Sequence, residues 1–256
     1  MKLAVCLKLV PATTADIRVA ADGKSLQLAG LETIISAYDE YALEAALKLR
    51  ESAAGSSITA FTAGPEECLK CIQHAFALGV DSGVHVKATS IDGATAARAA
   101  AALFKDALPD VILCGRQGID DDQWFFPGAL AELLDIPHVT GVSALMLAPD
   151  GTSAQCRRRI EGGDQVIEVF LPAVISCDKG LNEPRAPTLK GRLDAKKKQA
   201  LVKTPAELGI SGESSVLRIS AYSPPPQKNT GRTIELAPAQ AAAEVVRLLR
   251  EEAKII

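Results

Sequence analysis

The chain has 256 residues, of which 48% are hydrophobic and 23% are charged, and its formal net charge is −3. This composition excludes an intrinsically disordered protein, and the length allows one large core with or without an extension. The slight acidic excess argues against a nucleic-acid-binding protein, because neutralising phosphates requires a basic face.

The apolar runs of the sequence are too short for a membrane span, so we expect no membrane insertion. Segment 1–8 places a short apolar run between Lys2 and Lys8 and lacks a cleavage site of small residues. That pattern is typical of a first strand rather than of a signal peptide. These features together predict a cytoplasmic protein.

Short apolar strands alternate with helices over the first half of the chain. Strands are predicted at 3–10, 57–62, 83–87 and 111–114. Helices are predicted at 39–50, 64–79, 93–104 and 128–134, and residues 21–25 form a turn within a hairpin insertion. This alternation predicts an α/β fold with a parallel sheet that is covered on both faces.

The second half of the chain has a different pattern. Strands are predicted at 143–148, 153–159 and 166–175, the last of them buried, and strict alternation places Arg157 and Arg159 on one strand face. Residues beyond about 190 are polar and proline-rich until a final helix at 238–254, with too little apolar patterning for a second core. We therefore divide the chain into a core, residues 1–190, and an extended C-terminal arm, residues 191–256.

Catalytic and metal-binding motifs are missing from the sequence. There is no G-x-G-x-x-G segment, no P-loop and no G-x-S-x-G elbow, and the three histidines have no metal-ligand spacing. Cys68 and Cys71 have the spacing of a redox pair, but they fall in a predicted helix. We interpret the pair as reduced helix-packing thiols and Cys6, Cys114 and Cys177 as small apolar residues of strands, and we predict neither a catalytic residue nor a metal site.

A glycine-rich and acidic loop follows the predicted strand at 111–114. Gly115 and Gly118 would let a ligand approach the backbone, and the start of the next helix, near Pro127, offers free N–H groups for a phosphate. The aspartates at 120–122 oppose a phosphate by charge. They could instead cap a helix, accept ribose hydroxyls or pair with another subunit, and the segment could also be an ordinary loop.

A basic, proline-stiffened segment at 177–198 follows the last predicted strand. Pro184 and Pro187 prevent regular structure, and Leu181 and Leu189 have no helical or strand pattern around them. Such leucines can fold back onto the domain. They can also insert into a pocket on another protein while the lysines attract an acidic partner.

Several motifs in order resemble the β subunits of electron transfer flavoproteins. The strongest is DKGLNEPR at 178–185 followed by AKKK at 195–198, and others are VCLK at 5–8, YDEYALEAAL at 38–47 and GRQGIDDD at 115–122. The resemblance covers nearly the whole chain. It implies an adenine-nucleotide-hydrolase-like core, an α subunit that supplies most of the FAD contacts, and an arm that embraces that subunit.

The resemblance also implies a function and site residues. The heterodimer would pass electrons from a dehydrogenase of the acyl-CoA type to a quinone-linked or other acceptor, and the loops of this chain would hold AMP. The implied nucleotide-binding residues are Cys6, Tyr38, Asp39, Ala63, Gly115, Gln117, Gly118, Asp121, Asp122 and Gln123. The implied partner-docking residues are Leu181, Asn182, Glu183, Pro184, Arg185 and Leu189.

Two segments depart from the pattern of that family. Aromatic residues at 124–126 stand where polar phosphate-binding side chains are usual, and Ser36-Ala-Tyr38 stands where Asn-Pro and an aromatic residue are usual. We therefore expect AMP to be weakly bound or absent. The alternatives are an electron-bifurcating member with its own FAD and NADH as donor, and a nucleotide-binding stress-type module.

Overall fold

A computed structural model describes residues 1–210, 219–226 and 231–256. Its strands are β1 (Lys2–Cys6), β2 (Leu9–Pro11), β3 (Arg18–Val19), β4 (Leu26–Gln27), β5 (Thr33–Ile35), β6 (Ser57–Gly64), β7 (Ser82–Lys87), β8 (Val111–Gly115), β9 (His138–Leu147), β10 (Ser153–Ile160), β11 (Gly163–Phe170), β12 (Ala173–Cys177) and β13 (Leu201–Lys203). Its α-helices are α1 (Ala37–Ser52), α2 (Leu69–Ala77), α3 (Gly93–Phe104), α4 (Phe125–Leu134), α5 (Leu189–Ala195) and α6 (Pro238–Glu251).

The main sheet of the described residues contains nine strands in the order β11-β10-β9-β12-β8-β1-β6-β7-β13. Neighbours from β9 to β13 run parallel, whereas β10 and β11 add an antiparallel edge next to β9. The predicted α/β fold with a mostly parallel sheet is confirmed. The predicted hairpin insertion is also confirmed, because β3 and β4 pair around residues 20–25.

Helices cover both faces of the parallel strands, as the alternation within β1 illustrates. Leu3 and Val5 pack into a core with α1 and α2, whereas Ala4 and Cys6 pack into a second core with α3 and α4. Successive strand residues point to opposite faces, so one apolar strand contributes to both cores.

Two predicted strands are each interrupted in the structure. The strand predicted at 3–10 ends at Cys6, because the backbone N–H of Lys8 donates to the Asp39 carboxylate at 2.7 Å instead of to a neighbouring strand. The buried strand predicted at 166–175 is in fact β11 and β12. Pro172, which has no N–H to donate, lies between them, and β12 enters the centre of the sheet while β11 forms its edge.

Other boundaries differ from the predictions as well. α4 begins at Phe125 rather than at residue 128, and β9 begins at His138 rather than at residue 143. Leu189, predicted in a loop, begins the short helix α5, whose N-cap Thr188 accepts a hydrogen bond from the Gly191 N–H at 3.0 Å.

The sheet continues beyond residue 190. β13 pairs with β7, and Ile210 is buried in the core that contains α3 and α4. The first residues of the predicted arm thus contribute to the sheet and to a core. The division into a core of 1–190 and an arm of 191–256 stays a prediction. Among the described residues, no helix has the length and apolarity needed to cross a membrane.

Candidate functional site

The buried carboxylate of Asp39 joins the C-terminal ends of two central strands. Its Oδ2 accepts the Lys8 N–H just after β1 at 2.7 Å, and its Oδ1 accepts the Gly115 N–H at the end of β8 at 2.8 Å. Asp39 itself lies in the first turn of α1. This carboxylate therefore fixes α1 at the edge of the sheet where open α/β sheets bind ligands.

Burial raises the pKa of Asp39 to about 7, although the hydrogen bonds from Lys8 and Gly115 and the charge of Lys8 lower it. Desolvation disfavours the ionised carboxylate more than these groups favour it. The side chain consequently gains and loses a proton close to neutral pH, at the base of the candidate site.

Gly115 is required by the close approach of α1 to β8. A Cβ at this position would lie 2.7 Å from the Cβ of Tyr38 and 2.8 Å from the backbone nitrogen of Asp39. Both distances are far below ordinary contact, and the second involves backbone that cannot easily move. The absence of a side chain at Gly115 thus brings Tyr38 and Asp39 to the end of β8.

The aspartates of the loop after β8 are paired within the chain. The Lys8 ammonium donates to Asp120 and Asp121 at 2.8 Å each, and the Gln117 side chain donates to Asp122 at 2.6 Å. Burial opposes protonation of Lys8, but the two carboxylates outweigh it and raise the Lys8 pKa. These aspartates therefore pair within the chain, a role that the sequence analysis did not include.

Arg116 links the acidic loop to two aromatic residues and to the end of β12. Its guanidinium lies 4.7 Å from the ring centroid of Tyr38 and 4.5 Å from that of Trp124. It also donates to Asp178 at 2.7 Å and to the Gln117 side chain at 3.1 Å. Stacking and ion pairing together fix this side chain in one position.

Most of the implied nucleotide-binding residues meet at this edge of the sheet. Cys6 ends β1 opposite Cys114 of β8, and burial raises its thiol pKa, so Cys6 is a packing residue rather than a reactive one. A second group lies towards α3: Ala63 near the end of β6, and Gln123, whose side chain approaches Gly93 at the start of α3. The residues that the structure brings together around Asp39 are Cys6, Tyr38, Gly115, Gln117, Gly118, Asp121 and Asp122.

The start of α4 offers fewer donors than expected. Because the helix begins at Phe125, Pro127 occupies its first turn and removes one of the free N–H groups there. Phe126 packs against the core that contains α3 and α4. Trp124 and Phe125 are 51% and 50% exposed, so these two rings face the surface at the nucleotide loop.

Sequence reasoning missed Lys8 as a site residue, and it assigned no separate role to Arg116 within the loop at 115–123. Both stand within motifs that carry the family resemblance, but neither has a local spacing that reveals its partners. Lys8 meets aspartates more than a hundred positions away, and Arg116 meets an aspartate 62 positions away. Only the strand order of the sheet brings these charges together.

The docking segment is held against α1 by its own polar residues. The Asn182 side chain donates to the Tyr41 carbonyl at 2.9 Å, and Arg185 pairs with Glu44 and Glu51. Leu181 is partly buried against the core that contains α1 and α2. Glu183 and Pro184 are exposed.

Helix α5 presents apolar side chains to solvent. Leu189 is 77% exposed and Leu193, one turn later, is 53% exposed. The helix rests on the end of α2 at Gly191, where a Cβ would overlap the carbonyl oxygen of Ala77. Leu189 therefore lies on a helix of fixed position rather than in a free loop, which suits the docking role predicted for it.

All six cysteines are free and buried. Burial raises the pKa of Cys68 to about 11 and raises that of Cys71 further, so neither is a reactive thiolate at neutral pH. Cys68 ends a short 3-10 turn and Cys71 lies in α2. The pair is best explained by helix packing.

Comparison with known proteins identifies the family. Residues 25–208 match the model of the electron transfer flavoprotein domain. The chain is 37% identical over 256 residues to an electron transfer flavoprotein subunit beta from Syntrophomonas wolfei, covering 100% of this chain and 98% of the relative. It is 37% identical over 245 residues to the one from Bacillus subtilis (93% and 94% covered) and 32% identical over 240 residues to the human one (92% and 93%). The chain therefore belongs to the electron transfer flavoprotein family, among its β subunits.

Proposed function

We propose that this β subunit pairs with an α subunit that holds most of the FAD, and that it docks the heterodimer onto a dehydrogenase. The dehydrogenase is of the acyl-CoA type, and the electrons pass on to a quinone-linked or other acceptor. The bound flavin supplies the redox chemistry. The chain itself acts as a carrier subunit rather than as an enzyme, and its buried free thiols suit the reducing cytoplasm.

The observation that carries this proposal is that α1 joins the candidate site to the docking segment. Tyr38 and Asp39 in its first turn form part of the site, and Glu44 and Glu51 farther along it hold Arg185. Helix α1 thus fixes the docking segment at Arg185 relative to the region expected to face the flavin, and Leu189 follows on α5, which rests on α2. Fixed distance is what electron transfer between two docked proteins requires.

The charges around the acidic loop weigh against tight AMP binding. The Lys8 ammonium is already engaged by Asp120 and Asp121, so a phosphate here would rely on backbone N–H groups. Pro127 has removed one of those groups from the start of α4. The same carboxylates are suitable acceptors for ribose hydroxyls, so an adenosine fits these residues better than its phosphate does.

We propose that the C-terminal arm packs on the α subunit. None of the residues of α6 is buried, although a stripe of apolar residues runs along the helix at the spacing of successive turns. The members of the stripe are Ala241, Val245, Leu248 and Leu249. An amphipathic helix without a covering surface is suited to a partner chain.

The second candidate is an electron-bifurcating protein with its own FAD in this subunit and NADH as donor. The exposed rings of Trp124 and Phe125 beside the acidic loop favour it, because they could stack on a second flavin. A nucleotide-binding stress-type module explains neither the fixed Leu189 helix nor the uncovered α6.

The experiment is co-expression with an electron transfer flavoprotein α subunit from the same source. We expect a yellow heterodimer with one FAD, reduced by an acyl-CoA dehydrogenase and its substrate, and a colourless or poorly soluble chain when it is expressed alone. A stable yellow chain with stoichiometric FAD in the absence of α would contradict the one-flavin proposal and favour the bifurcating one. Failure to co-purify with α would contradict both.

A further inference from the structure

A basic cleft of about 740 Å³ opens beside the nucleotide loop. It lies past the C-terminal ends of β8 and β12 and extends along β9 and β10, a position where open α/β sheets bind ligands. Arg116 lies between Tyr38 of the candidate nucleotide site and Trp124 of the cleft. Lys8, Asp39 and Gly118 do not border the cleft.

Two irregularities of the sheet shape this cleft. The pairing of β10 with β9 shifts between Arg157 and Arg158, and the pairing of β12 with β9 shifts between Ile175 and Cys177. At the second shift the Ser176 hydroxyl accepts the Gly141 N–H at 2.9 Å, and Gly141 has a φ of +70°. Such irregularities are enriched beside functional sites, where they redirect side chains.

The arginines at 157–159 are consecutive in β10, which pairs with β11 without a shift over Ser153–Ile160. Strict alternation would place Arg157 and Arg159 together, on the opposite face from Arg158. In the structure Arg158 and Arg159, two consecutive residues, both line the cleft, and Arg157 does not. The extra residue of the register shift is Ser143 in β9, and Arg158 and Arg159 together bring two guanidinium groups to the cleft.

The cleft carries a large excess of positive charge. Four cationic side chains and one carboxylate line it, which leaves three positive charges without a counter-charge: Arg116, Arg158, Arg159 and Lys179 against Asp178. Arg116 pairs with Asp178, and Arg158 bonds only to neutral partners, Gln165 and Thr140. Within the described ranges, the side chains of Arg159 and Lys179 have no hydrogen bond or ion pair.

An apolar wall completes the cleft. Trp124 and Ile160 line it and are 51% and 46% exposed. The volume lies in the range of small-molecule sites, and an aromatic ring beside several cations suits a ligand that has both a planar ring and an anionic group.

We propose that this cleft binds the diphosphate group of a compound of the nucleotide class. A carboxylate would neutralise only one of the three unopposed charges, whereas a diphosphate carries more than one negative charge and accepts forked hydrogen bonds from several arginines. The diphosphate belongs either to a free nucleotide or to the flavin that the partner subunit holds, and the ring lies against Trp124.

The test is equilibrium dialysis of the purified heterodimer against labelled inorganic diphosphate at low salt, with the flavin bound and after its removal. We expect saturable binding that Arg159→Ala weakens by about tenfold or more. Arg157→Ala is the matched control, with the same loss of charge one residue outside the cleft, and it should change the affinity less than about twofold. Because Arg159 is exposed and unpaired within the described ranges, its substitution should not disturb folding.

The two forms distinguish the sources of the diphosphate. Binding to both forms indicates a free nucleotide, and binding only after flavin removal indicates the diphosphate of the flavin. Absence of binding to either form would overturn the proposal, and so would equal losses of affinity in the two variants. The use of a heterodimer rests on the proposed function. If no heterodimer forms, the proposed function is contradicted, and dialysis of the β subunit alone still tests whether the cleft binds diphosphate.

Discussion

The guanidinium of Arg185 donates two parallel hydrogen bonds of 2.8 Å to the buried carboxylate of Glu44, from Nε to Oε2 and from Nη2 to Oε1. Only 3% of the Glu44 side chain is exposed, and Arg185 also bonds to the exposed Glu51. Glu44 and Glu51 raise the pKa of Arg185, and Arg185 lowers that of Glu51. The pair attaches the docking segment to α1, the helix whose first turn forms the candidate site.

Arg185→Ala should loosen the docking segment and destabilise the fold. The substitution leaves Glu44 buried without its cation, and because Arg185 is itself 39% exposed we expect a loss of about 1–3 kcal/mol rather than the larger cost of a fully buried pair. Thermal unfolding of the heterodimer measures the loss. The matched control is Arg18→Ala, which removes an arginine from an exposed pair with Asp16 and should cost less than about 0.5 kcal/mol. Equal costs would show that the Glu44 pair has no special role.

Leu189→Ala should weaken docking without affecting stability. Full burial of a leucine in a partner's pocket contributes about 1.5–3 kcal/mol, so the apparent KM for the dehydrogenase should rise about tenfold to a hundredfold. The melting temperature and the flavin content should stay nearly constant, because this side chain is 77% exposed in the free subunit. Leu28→Ala, at a leucine that is 47% exposed elsewhere, is the control. A fall of many degrees in the melting temperature would place Leu189 in a core and contradict the docking role.

Gly191→Ala should displace the helix that carries Leu189. The added Cβ would overlap the Ala77 carbonyl oxygen at the end of α2, so α5 must move away from its support. We expect a destabilisation of about 1–3 kcal/mol together with a raised KM for the dehydrogenase. Gly163→Ala introduces the same methyl group where nothing lies within 4 Å and should leave both quantities unchanged. An unchanged KM in Gly191→Ala would mean that docking does not depend on the position of α5.

The alternation of strands and helices was sufficient to predict the parallel sheet, because patterns such as Leu3, Ala4, Val5 and Cys6 record burial on both faces. Strand ends were harder to predict. β1 ends where the Lys8 N–H turns to Asp39, 31 positions away, and no local signal reports a bond of that range. The run at 166–175 contains two strands of very different burial, since composition alone does not distinguish an edge strand from a central one.

The candidate site was predicted in part for a similar reason. Glycines and aspartates after a strand indicated a ligand-binding edge, and motif resemblance supplied Tyr38 and Asp39. Lys8, the cation that pairs with the aspartates, follows β1, whereas the aspartates follow β8, so its role depends on the strand order. The cleft of Arg158 and Arg159 depends on the strand order β10-β9-β12-β8, which a local pattern does not contain.

The stability of the protein should depend on pH through Asp39. Burial raises the pKa of this carboxyl to about 7 in the folded state, against an ordinary value of 3.8. Between these values the unfolded chain has lost a proton that the folded chain keeps, so the contribution of Asp39 to stability falls as the pH rises through this window and is constant above it.

The comparison of wild type with Asp39→Asn isolates this effect, because asparagine does not ionise. Asparagine should be destabilising at acid pH, since its amide has one acceptor for the two N–H groups of Lys8 and Gly115. The advantage of the wild type in urea denaturation should shrink from about pH 4.5 to about pH 7.5. Asp16→Asn, at an exposed aspartate, should show no such trend. An advantage that grows with pH would mean that the folded pKa of Asp39 is depressed.

The nucleotide content of the heterodimer is expected to be one FAD with little or no AMP. The Lys8 ammonium is already paired with the carboxylates of Asp120 and Asp121. In addition, Trp124 and Phe125 stand where polar side chains would have to hold a phosphate. Denaturation of the purified heterodimer, followed by chromatography against AMP and FAD standards, measures the content. One AMP per heterodimer would contradict the expectation, and two FAD would favour the bifurcating protein.

Asp121→Asn tests the electrostatic reason for weak AMP binding. The substitution removes one negative charge and one of the two partners of Lys8, at 2.8 Å, which leaves its ammonium more available to a phosphate. We expect the affinity for added AMP to rise severalfold, by about 0.5–1 kcal/mol, because Lys8 is 42% exposed and solvent screens the gain. Asp16→Asn, which removes the same charge from an exposed position, should leave the affinity unchanged. If AMP binds Asp121→Asn and wild type equally weakly, the obstacle is the bulk of the aromatic rings, and Trp124→Ala rather than Asp121→Asn should restore binding.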